Sequence, residues 1–395
     1  MSFALIGAEI FDGDSRKTGH ALLIDAGRVV GVLPPGQLPE AVELRALDGG
    51  LLAPGFVDVQ VNGGGGVMLN DAPEAATMEA IAKAHLPFGT TSLLPTLITD
   101  TPAHVRAAIA AAHACTAPGV AVPGVAVPGV AVPGVAGLHL EGPHLSVARK
   151  GAHDPSLIRA MSDEDLAALC EAAQTLPSLY VTVAPESVSP AQIRQLAAAG
   201  AVVSLGHSDC GYSAASAAYD AGAKAATHLF NAMSQLSNRE PGMVGALLNE
   251  GRAFAGIIAD GIHVHPATLR VALAAKQGPG RLFLVSDAMA TIGTDMRSFT
   301  LNGREILREN GRLTLADGTL AGADLDMISA VRFMVDVMGV ARDEALRMAA
   351  TYPAELLGRA NEIGTLCPGA QADILWLGAG LDIRRIWQRG KPVLQ

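Results

Sequence analysis

LYVTVAPESVSPAQIRQLAAAGAVVSLGHSDC, residues 179–210, is the stretch that decides the fold. Leu179–Ala184 and Ala201–Gly206 are continuous apolar runs rather than alternating ones, as strands of a parallel sheet covered on both faces should be. Between them Pro190–Ala199 has the composition of a helix, opened by serine and by a proline in the first turn, where its missing N–H is no loss. The unit is strand, helix, strand, and His207 follows the second strand directly.

Working outward, six more apolar runs appear: Gly55–Val61, Thr90–Pro95, Val135–Leu140, Lys224–His228, Phe254–Ala259 and Arg281–Ser286. Helix-like segments lie between them, among them Pro73–Phe88, Pro102–Cys115, Ser162–Thr175 and Pro266–Gln277. Eight such units make an α/β fold of the (β/α)8 TIM-barrel type, expected over residues 54–368. The two ends differ. Residues 1–53 and 369–395 are short strands separated by turn signals, expected to pair into one small β-sandwich domain. Phe299–Leu315, with two Asn-Gly turns, is expected to be a β-hairpin inserted before the last helix. Residues 118–137 are a tandem repeat, PGVAV at 118, 123 and 128 and PGVAG at 133. We read it as a duplication tolerated in a surface loop rather than an interaction arm, because loop length costs little free energy.

Half of the 395 residues are hydrophobic, enough to bury a large core. Against 28 basic residues stand 38 acidic ones, a formal charge of −10, with no Lys/Arg-rich run to track a nucleic-acid backbone or an anionic membrane. Neither is expected as a partner. A small phosphorylated metabolite fits, since one or two arginines can bind a phosphate whatever the net charge. The N-terminal stretch lacks a secretory signal pattern, and no run of ~18 strongly apolar residues occurs, so a cytoplasmic location is expected. Cys115, Cys170, Cys210 and Cys367 lie far apart without a C-x-x-C pair, as packed thiols do.

Barrel enzymes carry their reactive groups just after the strands, and here such residues recur there. They are Gln60 and Asn62 after the first run, His139, Glu141 and His144 around the end of the third, His207 after the fifth, His228 and Asn231 at the sixth, Asp260 and His263 after the seventh, and Asp287 after the eighth. Glu141, His207 and His228 can meet only if their strands share a mouth. A carboxylate and two imidazoles leave one coordination position open, where a catalytic zinc lowers the pKa of water. A lone histidine is more often a hydrogen-bonded core residue, but three ligand types coinciding at strand ends weaken that alternative. Asp287 can take and return a proton there, unless it only caps the segment that follows. His153 in GAHDP can polarise a carbonyl. Arg239, Asn231 and His263 can grip an anionic head, although Arg239 could equally be a solvated loop charge. Gly63–Gly66 lacks the spacing and lysine of a phosphate loop and reads as a turn passing close to the site.

The strings PGFVDVQVNGGGGVMLND, GLHLEGPHLS, KGAHDP, VSLGHSDC, ATHLFNAMSQL, REPGMVGALL, GIIADGIHVHP and LVSDAMA resemble the N-acetylglucosamine-6-phosphate deacetylases of the amidohydrolase superfamily, and the resemblance runs through TLAGADLDM and GTLCPGAQADI to the C-terminal end. It implies one divalent metal ion per subunit, usually zinc, held by Glu141, His207 and His228, with Asp287 as general base and then acid and His153 orienting the acetyl carbonyl. It further implies that the sugar phosphate meets Ala152, Asn231, Ala232, Arg239 and His263, that Arg239 is lent by the other subunit of a homodimer, and that Leu320, Ala321 and Gly322 close over the substrate. Gln60-x-Asn62 stands where many of the superfamily carry His-x-His for a second metal, and amides are poor transition-metal ligands, so a single ion is expected. Gly64–Gly65 stand where relatives carry a cysteine, and His144 is left without a role. The competing readings are the same chemistry on N-acetylgalactosamine 6-phosphate or a cyclic amide, a sugar-phosphate binder without catalysis, and a structural role for the PGVAV array.

Overall fold

The computed structural model describes residues 2–116 and 131–393, so the first part of the PGVAV repeat lies outside the described residues. Eight parallel strands form the central sheet in sequential order: β1 Phe56–Val61, β2 Thr90–Ile98, β3 Leu138–Glu141, β4 Leu179–Val183, β5 Val202–Leu205, β6 Ala225–Ala226, β7 Phe254–Ile257 and β8 Leu282–Leu284. Beyond β8 the sheet closes on β1, where Asp287 N–H donates to the Gln60 carbonyl at 3.0 Å and Asn62 N–H to that of Ala288 at 2.9 Å. The connecting helices include α1 Ala75–His85, α2 Pro102–Thr116, α3 Asp163–Thr175, α4 Pro190–Ala199, α5 Tyr212–Asp220, α6 Gly242–Asn249, α7 Pro266–Ala275 and α8 Met327–Asp336.

The helix boundaries have local causes. Ser162 and Ser189 each form a reciprocal cap with the residue three positions on, Asp165 and Gln192, and Gly200 ends α4 in the left-handed region at φ 104°. Strand β2 runs to Ile98, three residues past the expected end at Pro95. That proline sits where the β1–β2 register shifts, a place at which a strand tolerates a missing N–H.

A layer of hydroxyls crosses the barrel interior. Tyr180 donates to Ser204 Oγ at 2.8 Å, Ser204 and Thr182 both bond Thr227 Oγ1 at 2.7 Å, and Thr182 meets His139 Nε2 at 2.8 Å. The other ring nitrogen of His139 faces Thr96 Oγ1 at 3.3 Å. His139 is thus a satisfied core residue, and burial lowers its pKa to about 4 and keeps it neutral.

Two further sheets are built from the chain ends, the first from N-terminal strands alone and the second from both ends. Strands 28–33, 21–25, 3–6 and 43–46 form one; strands 391–393, 383–388, 374–377, 51–54, 9–11 and 16–17 form the other. Phe3, Leu5, Ile10, Leu22, Leu52 and Trp387 fill the space between them. The expected hairpin after β8 is the core of a four-stranded antiparallel sheet, Ser298–Leu301, Arg304–Glu309, Arg312–Thr314 and Leu320–Ala323. Its last strand, LAGA, is short and contains glycine, so its sequence gives little β signal. Ala323 N–H ties it to the Asp287 carbonyl at 2.8 Å.

Candidate active site

Glu141 ends β3, while His207 and His228 follow β5 and β6, so all three project at the C-terminal mouth. Their donor atoms converge: Glu141 Oε1 lies 3.0 Å from His228 Nε2 and 3.2 Å from His207 Nε2, and the two nitrogens are 3.1 Å apart. The edges of a tetrahedral site with ligand bonds of ~2.0–2.1 Å measure about 3.3 Å, so this triangle is of the size a metal ion takes. His207 Nδ1–H donates to the Arg149 carbonyl at 2.8 Å, which puts its lone pair on Nε2, facing the cluster. Burial works against a charge on Glu141, but hydrogen bonds and charge from the two imidazoles more than offset it and hold the carboxyl well below its ordinary value. All three residues are buried, and their donor set could hold one metal ion.

The backbone is bent to aim these groups. His207, His228 and Asp287 have φ of 48°, 30° and 49°, the left-handed region that non-glycine residues occupy at a cost and that clusters at functional sites. Each sits at the turn from strand to loop, where the twist directs the side chain across the mouth. Gly63 allows the chain to pass there, since a Cβ on it would lie 2.5 Å from the Val67 carbonyl oxygen and 2.8 Å from Ala290 N.

Asp287 accepts from Asn62 Nδ2 at 2.8 Å and from Gln60 Nε2 at 3.2 Å, and Gln60 Nε2 also donates to Glu141 at 3.0 Å. Burial, with the nearby Glu141 charge, pushes the Asp287 carboxyl up to about 6. His153 is neutral, its pKa lowered by burial and by the neighbouring His207. Thr99 donates its backbone N–H to His153 Nδ1 at 3.4 Å and places its hydroxyl 2.7 Å from the same atom. With Nδ1 as acceptor, the ring proton belongs on Nε2, the nitrogen left to meet a ligand. His263 is held through Nδ1 by Asp260 at 2.6 Å, and Asp260 also takes the His263 and Ile262 N–H groups at 2.9 and 2.8 Å.

A cavity of about 540 Å³ brings most of the expected residues together: Glu141, Ala152, His153, His207, His228, Asn231, Ala232, His263, Asp287, Leu320 and Gly322 all border it. Two do not. Ala321 turns into the apolar cluster under the inserted sheet, as alternation along a strand requires, and Arg239 is an exposed loop residue outside the cavity of its own chain. His144 lies in a different cavity of about 230 Å³, with its Nδ1 on the Arg159 carbonyl. The apolar run of β2 ends at Pro95 in the sequence and leaves Thr99 unmarked, and Arg304 is a second site residue without a sequence signal. The Arg304 guanidinium reaches from the inserted sheet to the carbonyl of Ala152, beside His153. No local pattern marks that contact, which spans 152 residues.

A barrel whose strand ends bring residues that could hold a metal ion beside a carboxylate has the features of a class of hydrolases. Residues 51–393 match the amidohydrolase family and residues 2–52 the NagA composite domain. The N-acetylgalactosamine-6-phosphate deacetylase of Shewanella sp. (strain ANA-3) is 41% identical over 352 residues, 88% of this chain and 84% of that protein. The N-acetylglucosamine-6-phosphate deacetylase of Haemophilus influenzae is 33% identical over 377 residues, 95% and 94% of the two chains. The crystal structure of N-acetylglucosamine-6-phosphate deacetylase from Pasteurella multocida has a TM-score of 0.91 at 34% identity, with each chain fully covered. The chain belongs to the amidohydrolase family, and these deacetylases are the members it is similar to.

Proposed function

We propose that this protein hydrolyses the acetamide of N-acetylglucosamine 6-phosphate to glucosamine 6-phosphate and acetate. The observation that carries the reading is the convergence of Glu141, His207 and His228 beside Asp287 in one cavity, in a chain similar to such deacetylases. Those three residues would hold a divalent cation, taken as zinc because two imidazoles and a carboxylate suit it, and when bound it supplies a Lewis acid for water and carbonyl.

The rest is done by the chain. Asp287 takes a proton from the water that adds to the acetyl carbon, and returns it to the amine nitrogen as the C–N bond breaks. A carboxyl pushed up to about 6 is suited to both halves of that task near neutrality. The neutral His153, with its proton on Nε2, donates a hydrogen bond to the carbonyl oxygen as negative charge develops there, an effect worth several kcal/mol when the donor is fixed in advance. Thr99 provides that fixing. Asn231, Ala232 and His263 would take the sugar phosphate, and Leu320 and Gly322 would cover it.

The proposal includes a homodimer in which Arg239, exposed on a loop outside the cavity of its own chain, serves the partner's site. Four free cysteines suit a reducing compartment, and the proposal includes a cytoplasmic location. Among the described residues no helix is long and apolar enough to cross a membrane. A second reading, N-acetylgalactosamine 6-phosphate as substrate, is favoured by the 41% identical relative. Acetate release measured on both N-acetylhexosamine 6-phosphates, with metal content determined on the same sample, tests the proposal. Faster turnover of the galactosamine compound moves the substrate to the second reading, and activity on neither overturns both.

A further inference from the structure

We infer that Gln60 and Asn62 are positioning residues that leave Asp287 one working oxygen, Oδ2. The inference rests on the hydrolytic reading above. Gln60 and Asn62 alternate at the end of β1 and face the same side, each almost fully buried at 1% and 2% exposure. A primary amide has two N–H groups, and Gln60 spends one on Glu141 Oε1 and the other on Asp287 Oδ1. Asn62 Nδ2 adds a second donor to the same Oδ1. Among the described residues nothing bonds Oδ2, while Asp287 borders the cavity. The strand that holds the side chain also holds the backbone, through Asp287 N–H on the Gln60 carbonyl. Asp287 is therefore fixed at two points on β1 and cannot exchange its oxygens freely.

An oxygen that already accepts two hydrogen bonds is the weaker base, so proton transfer belongs to Oδ2. As the O–H bond of water breaks, its oxygen bonds the acyl carbon and the proton bonds Oδ2. That proton then leaves Oδ2 for the amine nitrogen as the C–N bond breaks, the carboxylate is restored, and acetic acid gives its own proton to solvent. Gln60 has a further effect, because its two protons sit between Glu141 and Asp287 and hold two carboxylates close together. Were the amides only filling buried space, their loss would cost stability and leave the chemistry alone.

Among the described residues the Asn62 side chain hydrogen-bonds Asp287 and none of Glu141, His207 and His228, so Asn62→Leu is the deciding variant, with Asn62→Ala carrying the same measurements should the first not fold. On the metal-loaded full chain we expect kcat to fall about 30-fold, with KM, the inhibition constant of glucosamine 6-phosphate and metal content staying within threefold of the parent. Gln60→Met should lower kcat as well, but with a loss of metal content beside it, since Gln60 also bonds Glu141. A folded, metal-loaded Asn62 variant with kcat within threefold of the parent overturns the inference. So does a loss explained wholly by a raised KM or by lost metal, since the amides would then assemble the site rather than orient the base. An inactive parent overturns the functional reading itself, a result distinct from an active parent beside an indifferent variant.

Discussion

Asp287 at the barrel mouth and Asp373 in the terminal sandwich are pushed up to about the same value, near 6, and by the same first cause, burial. Their surroundings share little else. Asp373 accepts the Arg389 backbone N–H at 2.7 Å and sits beside a strand of the second terminal sheet. Asp287 sits on a left-handed backbone turn, takes two amide donors on one oxygen, faces a cavity, and has Glu141 and His228 for neighbours. A raised carboxyl by itself reports only that water has been removed. What separates a reactive carboxylate from a structural one is an open oxygen and a donor set that could hold a cation within reach.

That contrast is sharpest in the two Asp→Asn variants. Asp287→Asn keeps the shape and removes the proton acceptor, and general acid–base catalysis contributes ~10²–10⁴-fold. We expect kcat to fall about a thousandfold, with metal content near that of the parent and, because a buried charge is relieved, a thermal midpoint at or above the parent's at pH 8. More than a tenth of parental kcat in this variant would break the distinction between the two aspartates.

The next effect in size concerns the anion end of the substrate. A hydrogen bond to a charged group is worth ~1.5–3 kcal/mol, so Arg239→Ala should raise KM for the phosphorylated sugar about 10- to 100-fold and leave the unphosphorylated analogue unaffected. If Arg239 serves the partner's site, mixing this variant with Asp287→Asn and allowing subunits to exchange should restore activity. Each mixed dimer then has one site with both residues. No restoration, with exchange verified by sedimentation of tagged chains, would place Arg239 outside any shared site.

The mouth was legible in the sequence because barrel topology converts position along the chain into position in space. A reactive residue directly after an apolar run has to face the mouth, so Glu141, His207, His228, His263 and Asp287 could be read from runs alone. The same rule also picked out His139, which faces inward one layer lower, onto Thr96 and Thr182, because a strand's end is uncertain by a residue or two. Thr99 was missed for that reason too. Arg304 was illegible on other grounds, since its partner Ala152 is brought near only by the folding of the inserted sheet. Asp373 gave no sign either, because whether a carboxylate flanking a strand is buried depends on the other end of the chain.

Asp373→Asn should act on stability alone. The folded-state value near 6 lies above the ~3.9 of an unfolded aspartate, so between these values the folded chain holds more protons and stability falls as pH rises. Above about pH 6 the whole cost, roughly 2–3 kcal/mol, is present. Asparagine can still accept the Arg389 N–H and carries no charge. The variant should melt several degrees above the parent at pH 8, with the gap narrowing toward pH 5, and kcat should stay within twofold. A gap that is constant with pH would mean that the buried charge is not what the substitution relieves.

The smallest effect is expected from deleting residues 118–132, three copies of the PGVAV unit. Helix α2 ends at Thr116, and Val132 N–H donates to the Cys115 carbonyl at 2.8 Å, so the chain returns at residue 132 to the place it left. With residue 132 already beside the end of α2, the segment can be shortened at the loss of that one hydrogen bond, and joining Ala117 to Pro133 still leaves the chain to reach β3 at Leu138. Loop-closure entropy changes by only ~0.6 kcal/mol per doubling of length, so removing 15 residues should shift stability by no more than about 1 kcal/mol, in the favourable direction. Glu141 ends the strand that follows and is fixed by its neighbours β2 and β4 rather than by the connection before it. The deletion should therefore leave kcat and KM within twofold of the parent and the melting temperature equal or slightly higher. A kcat reduced tenfold would show that the repeat acts on the mouth, and would extend the functional region of the molecule to a segment whose sequence looks like a duplication.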